Sequence, residues 1–154
     1  MEGRGLGERG LRRSATARDP ALLRGYGRLR ILLDTHVLIW SGVDRLDQDV
    51  REVIRDRADA VFVSAATIWE IEIKRALGKV RIPDDLVERV DDAGYDRLPI
   101  TFEHARDAAR LPNLHGDPFD RMLVAQARLE GLTLVTADSE ILGYDVSVLK
   151  VERG

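Results

Sequence analysis

Apolar and polar positions alternate along this chain in blocks. Short continuous apolar runs are followed by longer stretches of helical spacing. Arg30–Asp34 (RILLD), Val61–Val63 and Leu132–Thr136 (LTLVT) are runs of the first kind, and they predict strands buried on both faces. The intervening stretches predict helices. His36–Gly42 is one, and Asp47–Ala58 is another, with Val50, Val53, Ile54 and Ala58 on one side. Ala65–Leu77 is a third, stopped by Gly78. Pro83 opens a fourth that reaches Ala93 and is closed by Gly94. Thr101 caps a fifth, with Glu103 or His104 in its first turn and Pro112 beyond its end. Asp117-Pro118 opens a sixth that runs to Glu130 and closes at Gly131. Arg97–Ile100 and Val146–Leu149 read as short strands, and Ser139–Leu142 as one helical turn. No repeat is visible and no linker divides 30–154, so the alternation predicts one α/β domain around a mainly parallel sheet.

Composition removes several kinds of chemistry. The 154 residues include no cysteine, which excludes disulfides, thiolate zinc sites, iron–sulfur ligation and a cysteine nucleophile. No apolar run approaches the roughly 20 residues that span a bilayer. The N-terminus lacks the apolar stretch of a secretory signal, so a cytoplasmic protein is expected. The net charge of −3 hides an asymmetry. Residues 1–30 hold eight arginines against three acids, a net of +5, which leaves −8 on the rest. Residues 1–29 are also glycine-rich without sustained apolar spacing, and the expectation there is a flexible basic tail. Such a tail is an electrostatic arm for a polyanion, an ordinary solvated segment, or the product of an upstream start codon.

Ligands of open α/β sheets bind beyond the carboxyl ends of the strands, where the strand order reverses. Two acids sit at such ends. Asp34 closes the first strand, beside Thr35, and Asp138 follows the LTLVT strand, close to Thr136. Asp138 also suits the N-cap of the turn after it. An acid such as Asp34 gains little at the end of a buried strand unless it is paired or caps the next helix. In SAATIWEIEIKRAL, the residues Ile68, Trp69, Ile71, Ile73, Ala76 and Leu77 cover a broad apolar arc. Glu70 falls at its edge, spaced for an ion pair with Lys74, and Glu72 falls inside it. The projection does not choose between them. In HGDPFDRMLVAQA, Asp117 suits an N-cap and Asp120 the third helical position, so helix capping alone accounts for both acids.

Other chemistries find no support. His36, His104 and His115 lie on separate elements, against an imidazole acid–base pair, and His104 reads as helix surface. An aspartyl phosphatase typically carries a second acid two residues after the first, where this chain has His36. Gly78-Lys79 lacks the rest of a phosphate-binding loop, and no glycine fingerprint follows the first strand.

Four segments, LLDTHVLIW at 32–40, SAATIWEIEIK at 64–74, HGDPFDRMLVAQA at 115–127 and LTLVTAD at 132–138, together resemble the PIN domain. More closely, they resemble the VapC-type toxins of bacterial and archaeal toxin–antitoxin pairs. The resemblance runs from about residue 30 to about 150, leaving the tail outside, because relatives usually begin just before the first strand. It implies a three-layer fold with a central, mainly parallel sheet flanked by helices, over 30–152. It maps the family's metal-binding acids onto Asp34, Glu70, Asp120 and Asp138, with Asp117 as an extra acid, and so selects Glu70 over Glu72. Carboxylates without thiolates suit hard divalent ions, Mg²⁺ or Mn²⁺. Such crowded acids imply at least one carboxyl with a raised pKa. The implied activity is hydrolysis of RNA phosphodiesters to 5′-phosphate and 3′-hydroxyl ends. Thr35 and Thr136 would orient carboxylates or waters, while His115, Lys74, Lys79 and Arg121 are candidates to meet the RNA. The implied partners are RNA, a cognate antitoxin and a second copy of the chain, with no membrane. The alternative is an inactive PIN-like RNA-binding or scaffold protein, which would be expected to have lost acids; none of the four is missing here.

Overall fold

The computed structural model describes residues 14–16, 29–42 and 45–152. Six parallel strands form one sheet: β1 (Ser14–Thr16), β2 (Arg30–Leu33), β3 (Ala60–Ser64), β4 (Asp96–Leu98), β5 (Thr133–Thr136) and β6 (Val148–Lys150). Their order across the sheet is β1-β6-β5-β2-β3-β4, and every pairing is parallel. Helix α1 (Thr35–Gly42) and helix α2 (Gln48–Glu52) connect β2 to β3, with α2 running on as a π-turn over Val53–Arg57. Helices α3 (Ala65–Ala76) and α4 (Leu86–Asp92) connect β3 to β4, and α5 (Phe102–Arg110) and α6 (Pro118–Glu130) connect β4 to β5. A 3₁₀ turn over Ser139–Gly143 leads into β6.

Successive strand residues point to opposite faces, and here both faces are covered. Ile31, Leu33, Val61, Val63, Val135 and Leu149 pack with Val37, Val50, Val53, Ile71 and Val90 of the first four helices. On the other face Leu32, Leu134 and Val148 pack with Leu123, Val124 and Ala127 of α6. This is the three-layer arrangement expected from the sequence. It explains why the strands read as unbroken apolar runs rather than as alternating ones.

Several boundaries move. The helix expected from Pro83 begins only at Leu86, because Asp84 and Asp85 form a turn first. The short strand expected at Arg97–Ile100 is Asp96–Leu98, in register with Phe62–Ser64. The last strand is Val148–Lys150 rather than Val146–Leu149. Helix α6 ends as anticipated. Gly131 takes a left-handed φ of 68°, and Leu132 N–H donates to the Ala127 carbonyl, the closure that favours glycine. Of the expected basic tail, only Ser14–Thr16, paired along β6, and Leu29 are described; the remainder lies outside the described residues. Among the described residues no helix is long and apolar enough to cross a membrane.

Candidate active site

The chain leaves β2 first toward β3 and β4, then returns on the opposite side of β2 with β5 and β6. The reversal therefore lies between β2 and β5, whose carboxyl ends open a crevice. Asp34 follows β2 directly and is 3 % exposed. Its backbone N–H donates to the Val135 carbonyl at 3.0 Å, which extends the β2–β5 pairing to the site itself. Its carboxylate caps α1, with Oδ1 accepting from Val37 N–H at 2.8 Å. Oδ2 accepts from Thr136 Oγ1 at 2.5 Å. Thr136 Oγ1 in turn accepts the Asp138 N–H at 3.0 Å. One hydroxyl therefore joins the ends of the two strands.

Asp138 caps the 3₁₀ turn, accepting from Glu140 N–H at 2.9 Å through Oδ1. Its other oxygen lies 3.0 Å from His115 Nε2. Asp117 is the N-cap of α6, accepting from Phe119 N–H at 2.8 Å and Asp120 N–H at 3.3 Å. Asp120, one turn into α6, places Oδ2 at 2.8 Å from the same His115 Nε2. His115, Asp120 and Asp138 form a group whose ligand atoms all lie within 4.8 Å of one another. Asp34 and Glu70 fall outside that tight group.

Glu70 is buried on α3, between two donors. Thr35 Oγ1 donates to Oε1 at 2.7 Å and Lys74 Nζ to Oε2 at 2.7 Å. Thr35 directly follows Asp34, which ties Glu70 to the same strand end. Glu72, inside the apolar arc on the helical wheel, is exposed and pairs with Arg75. The arc is split: Trp69 is 61 % and Leu77 63 % exposed, while Ile71 is fully buried. The buried side of α3 is Ala66, Thr67, Glu70 and Ile71.

The electrostatics follow from this crowding. Burial pushes the Asp34 carboxyl above its ordinary value, against the hydrogen bonds from Thr136 and Val37, and the Asp138 charge adds to the rise. Asp120 is pushed up to about 7, first by burial, then by the charges of Asp117 and Asp34, with His115 opposing. Burial pulls His115 down, but its contacts with Asp120 and Asp138 outweigh that and raise it overall. The carboxyl of raised pKa expected from the sequence is therefore present, and more than one group carries it.

Two residues take places that their sequence reading did not give them. His104, read as helix surface, is 1 % exposed. Its Nδ1 accepts from Thr101 N–H at 3.0 Å and Nε2 lies 2.8 Å from Glu130. A histidine here fills the third position of a capping box, the role usually given to Glu or Gln. Arg121, a candidate to meet RNA, turns inward instead. Its guanidinium donates to the carbonyls of Ala108, Leu111, Pro112 and His115 at 3.0–3.3 Å. It satisfies carbonyls at the end of α5 and holds the loop that carries His115. Glu140 was not anticipated: its Oε2 lies 3.0 Å from His115 Nδ1. The only sequence signal for it is its place two residues after Asp138.

A family model described as PIN domain matches residues 31–146. The chain is 31 % identical over 124 residues to Ribonuclease VapC22 of Mycobacterium tuberculosis, covering 74 % of this chain and 91 % of that protein. The crystal structure of VapBC2 from Rickettsia felis bound to a promoter DNA fragment superposes with a TM-score of 0.62 at 12 % identity, over 80 % of this chain and 100 % of that one. VapBC-5 from Mycobacterium tuberculosis, a member of a toxin–antitoxin family, gives 0.55 at 22 % identity, over 79 % and 98 %. The family match takes in Asp34, Glu70, Asp120 and Asp138 and the helices between β2 and β5, and the chain belongs to the PIN-domain family.

Proposed function

We propose that this chain is the toxin ribonuclease of a toxin–antitoxin pair. In this reading it is a divalent-metal-dependent endoribonuclease that leaves 5′-phosphate and 3′-hydroxyl ends. The observation that carries the reading is the meeting of Asp34, Asp120 and Asp138 at the β2–β5 reversal, with Glu70 tied to it through Thr35. The 31 % identity to a VapC ribonuclease supports the substrate class.

The residues present suit a hard cation. The donors are carboxylate oxygens with one imidazole and no sulfur, which favours Mg²⁺ or Mn²⁺. Burial first, and neighbouring carboxylates after it, disfavour the charged forms of Asp34 and Asp120, and a bound cation would offset both effects. Asp34, Asp120 and Asp138 would hold the ion, with Glu70 completing the set and Asp117 remaining the helix cap. When bound, the ion supplies Lewis acidity, a water of lowered pKa and charge neutralisation at the leaving oxygen. The chain's own residues supply position. Thr136 and Val37 N–H fix the two oxygens of Asp34, and each oxygen retains capacity to accept a further contact. Thr35 fixes Glu70 in the same way. His115 Nε2 lies 2.8 Å from Asp120 and 3.0 Å from Asp138, where a proton on it would serve either carboxylate.

The body of the chain outside the first 30 residues carries −8, which attracts a basic inhibitor segment. A cognate antitoxin is therefore the proposed protein partner, with a homodimer in the cytoplasm as the proposed state. The test is incubation of the purified protein with total RNA in Mg²⁺, in Mn²⁺ and in EDTA, beside Asp34→Ala, with ends captured by a ligation that requires a 5′-phosphate. Discrete metal-dependent cuts that vanish in Asp34→Ala are expected. Cutting that persists in EDTA would overturn the mechanism.

A further inference from the structure

The acids brought together by the sheet, Asp34 and Asp138, need no help from helix packing. Glu70 and Asp120 do. They sit on α3 and α6, and their separation depends on how those two helices are set against each other. Besides the apolar cluster that Ala66 shares with Leu123, Val124 and Ala127, two side-chain contacts tie the helices together. Ser64, the N-cap of α3, donates through Oγ to Gln126 Oε1 at 2.6 Å, with both residues fully buried. Farther along, the Trp69 and Phe119 rings meet edge to face, with centroids 5.2 Å apart and planes at 70°. Moving from Ser64 to Trp69 goes forward along α3, while moving from Gln126 to Phe119 goes backward along α6. The helices are therefore antiparallel where they touch. The two ties are spaced roughly 8 Å along one axis and 10 Å along the other. Glu70 and Asp120 are the next residue after each ring.

Gln126 is also held from behind. Its Nε2 donates to the Pro99 carbonyl at 3.2 Å and lies 3.4 Å from His104 Nδ1. Ser64 Oγ accepts the Ala66 N–H at 3.0 Å, so its hydroxyl proton is the one given to Gln126. A buried primary amide with its oxygen and nitrogen both engaged fixes a position that an apolar side chain of the same volume would leave free to slide. A slide of one helical turn is about 5.4 Å, enough to take Glu70 and Asp120 out of reach of one ion.

We propose that Gln126 and Trp69 are positioning residues: the Ser64–Gln126 bond and the Trp69–Phe119 contact together set the register of α3 on α6, and so the separation of Glu70 and Asp120 at the metal. The inference rests on the metal reading of the site given above. Neither residue is among the acids proposed to hold the ion.

The test is Mn²⁺ titration by calorimetry, with thermal melting of the same samples in EDTA. Its variants are Gln126→Met, Trp69→Ala, Trp69→Phe and the double variant Gln126→Met/Trp69→Ala. Trp69 is largely exposed, so Trp69→Ala folds even if the buried substitution does not. Wild type is expected to bind Mn²⁺. Trp69→Ala and Gln126→Met are each expected to weaken binding roughly 10-fold, as losses of groups that orient ligands do. Trp69→Phe should restore most of the affinity. The double variant should lose more than the product of the single losses, because each tie limits the same slide. A lowered melting temperature with unchanged Mn²⁺ affinity in both single variants would overturn the proposal while leaving the metal site standing. Wild-type protein that binds no Mn²⁺ would overturn the metal reading, and this inference with it.

Discussion

The two sides of the crevice are built differently. On the sheet side, Asp34 is buried, bonded at both oxygens and aligned by strands that pair on either side of it. On the loop side, Asp120 and Asp138 are partly open to water and are bridged by His115, which comes from a loop held by Arg121. Burial raises the pKa on both sides, but the means of control differ. Asp34 is held by neutral donors that cannot change charge near neutral pH. Asp120 is held by an imidazole, which can. The sheet side therefore fixes geometry, and the loop side adjusts charge.

The largest effect should come from removing the fixed side. Asp34→Ala is expected to bring RNA cleavage down to the level of the EDTA control while the protein stays folded, since it also removes a buried charge. Circular dichroism beside the cleavage assay checks both parts. Thr136→Val keeps Asp34 but takes away the hydroxyl that orients it and accepts from Asp138. Metal affinity should fall by roughly 10–100-fold, read by Mn²⁺ calorimetry. Equal affinity would mean that the strand ends hold Asp34 unaided. Arg121→Met attacks the loop side instead. Loss of its carbonyl bonds should cost about 2 kcal/mol in urea unfolding, with a smaller change in metal affinity than Thr136→Val. The reverse ranking would mean that the loop, not the sheet, sets the geometry.

The smallest effect is that of pH, and its sign is fixed. Asp34, Asp120 and His115 all bind protons more tightly in the folded protein than in the unfolded chain. Their contribution to stability is therefore fully present at low pH and is lost as pH rises, for Asp120 between about pH 4 and about pH 7. Melting temperatures in EDTA should fall over that window, and Mn²⁺ should reduce the fall. Metal affinity should rise over the same range, because the ion competes with those protons. A metal-free protein that became more stable with rising pH would contradict the electrostatics described above.

The sheet was legible because both of its faces are covered, which leaves unbroken runs such as ILL and LTLV in the sequence. Asp34 and Asp138 were legible for the same reason: once the strands are placed, their ends are placed. Glu70 was not legible from residues alone. The helical wheel assumes that the most apolar arc faces the core, whereas α3 buries Ala66, Thr67 and Ile71 and turns Trp69 and Leu77 outward. Only the family resemblance singled out Glu70, which the structure buries against Thr35 and Lys74. His104 escaped because a histidine in a helix's first turn reads as solvated until Glu130, 26 residues away, is seen beside it. Local patterns show what ends an element. They do not show what another element brings to meet it.

That separation in sequence has a consequence for how the protein is made. Thr136 and Asp34 are 102 residues apart, and β5 can pair with β2 only after everything between them has left the ribosome. Strands β2, β3 and β4 can come together earlier, since they are successive along the chain. Asp120 and Asp138 follow Asp34 and Glu70 in the chain, so the nascent chain has no complete crevice until residue 138 has emerged. A protein that cuts RNA would thus gain its assembled crevice only at the moment β5 slots in beside β2.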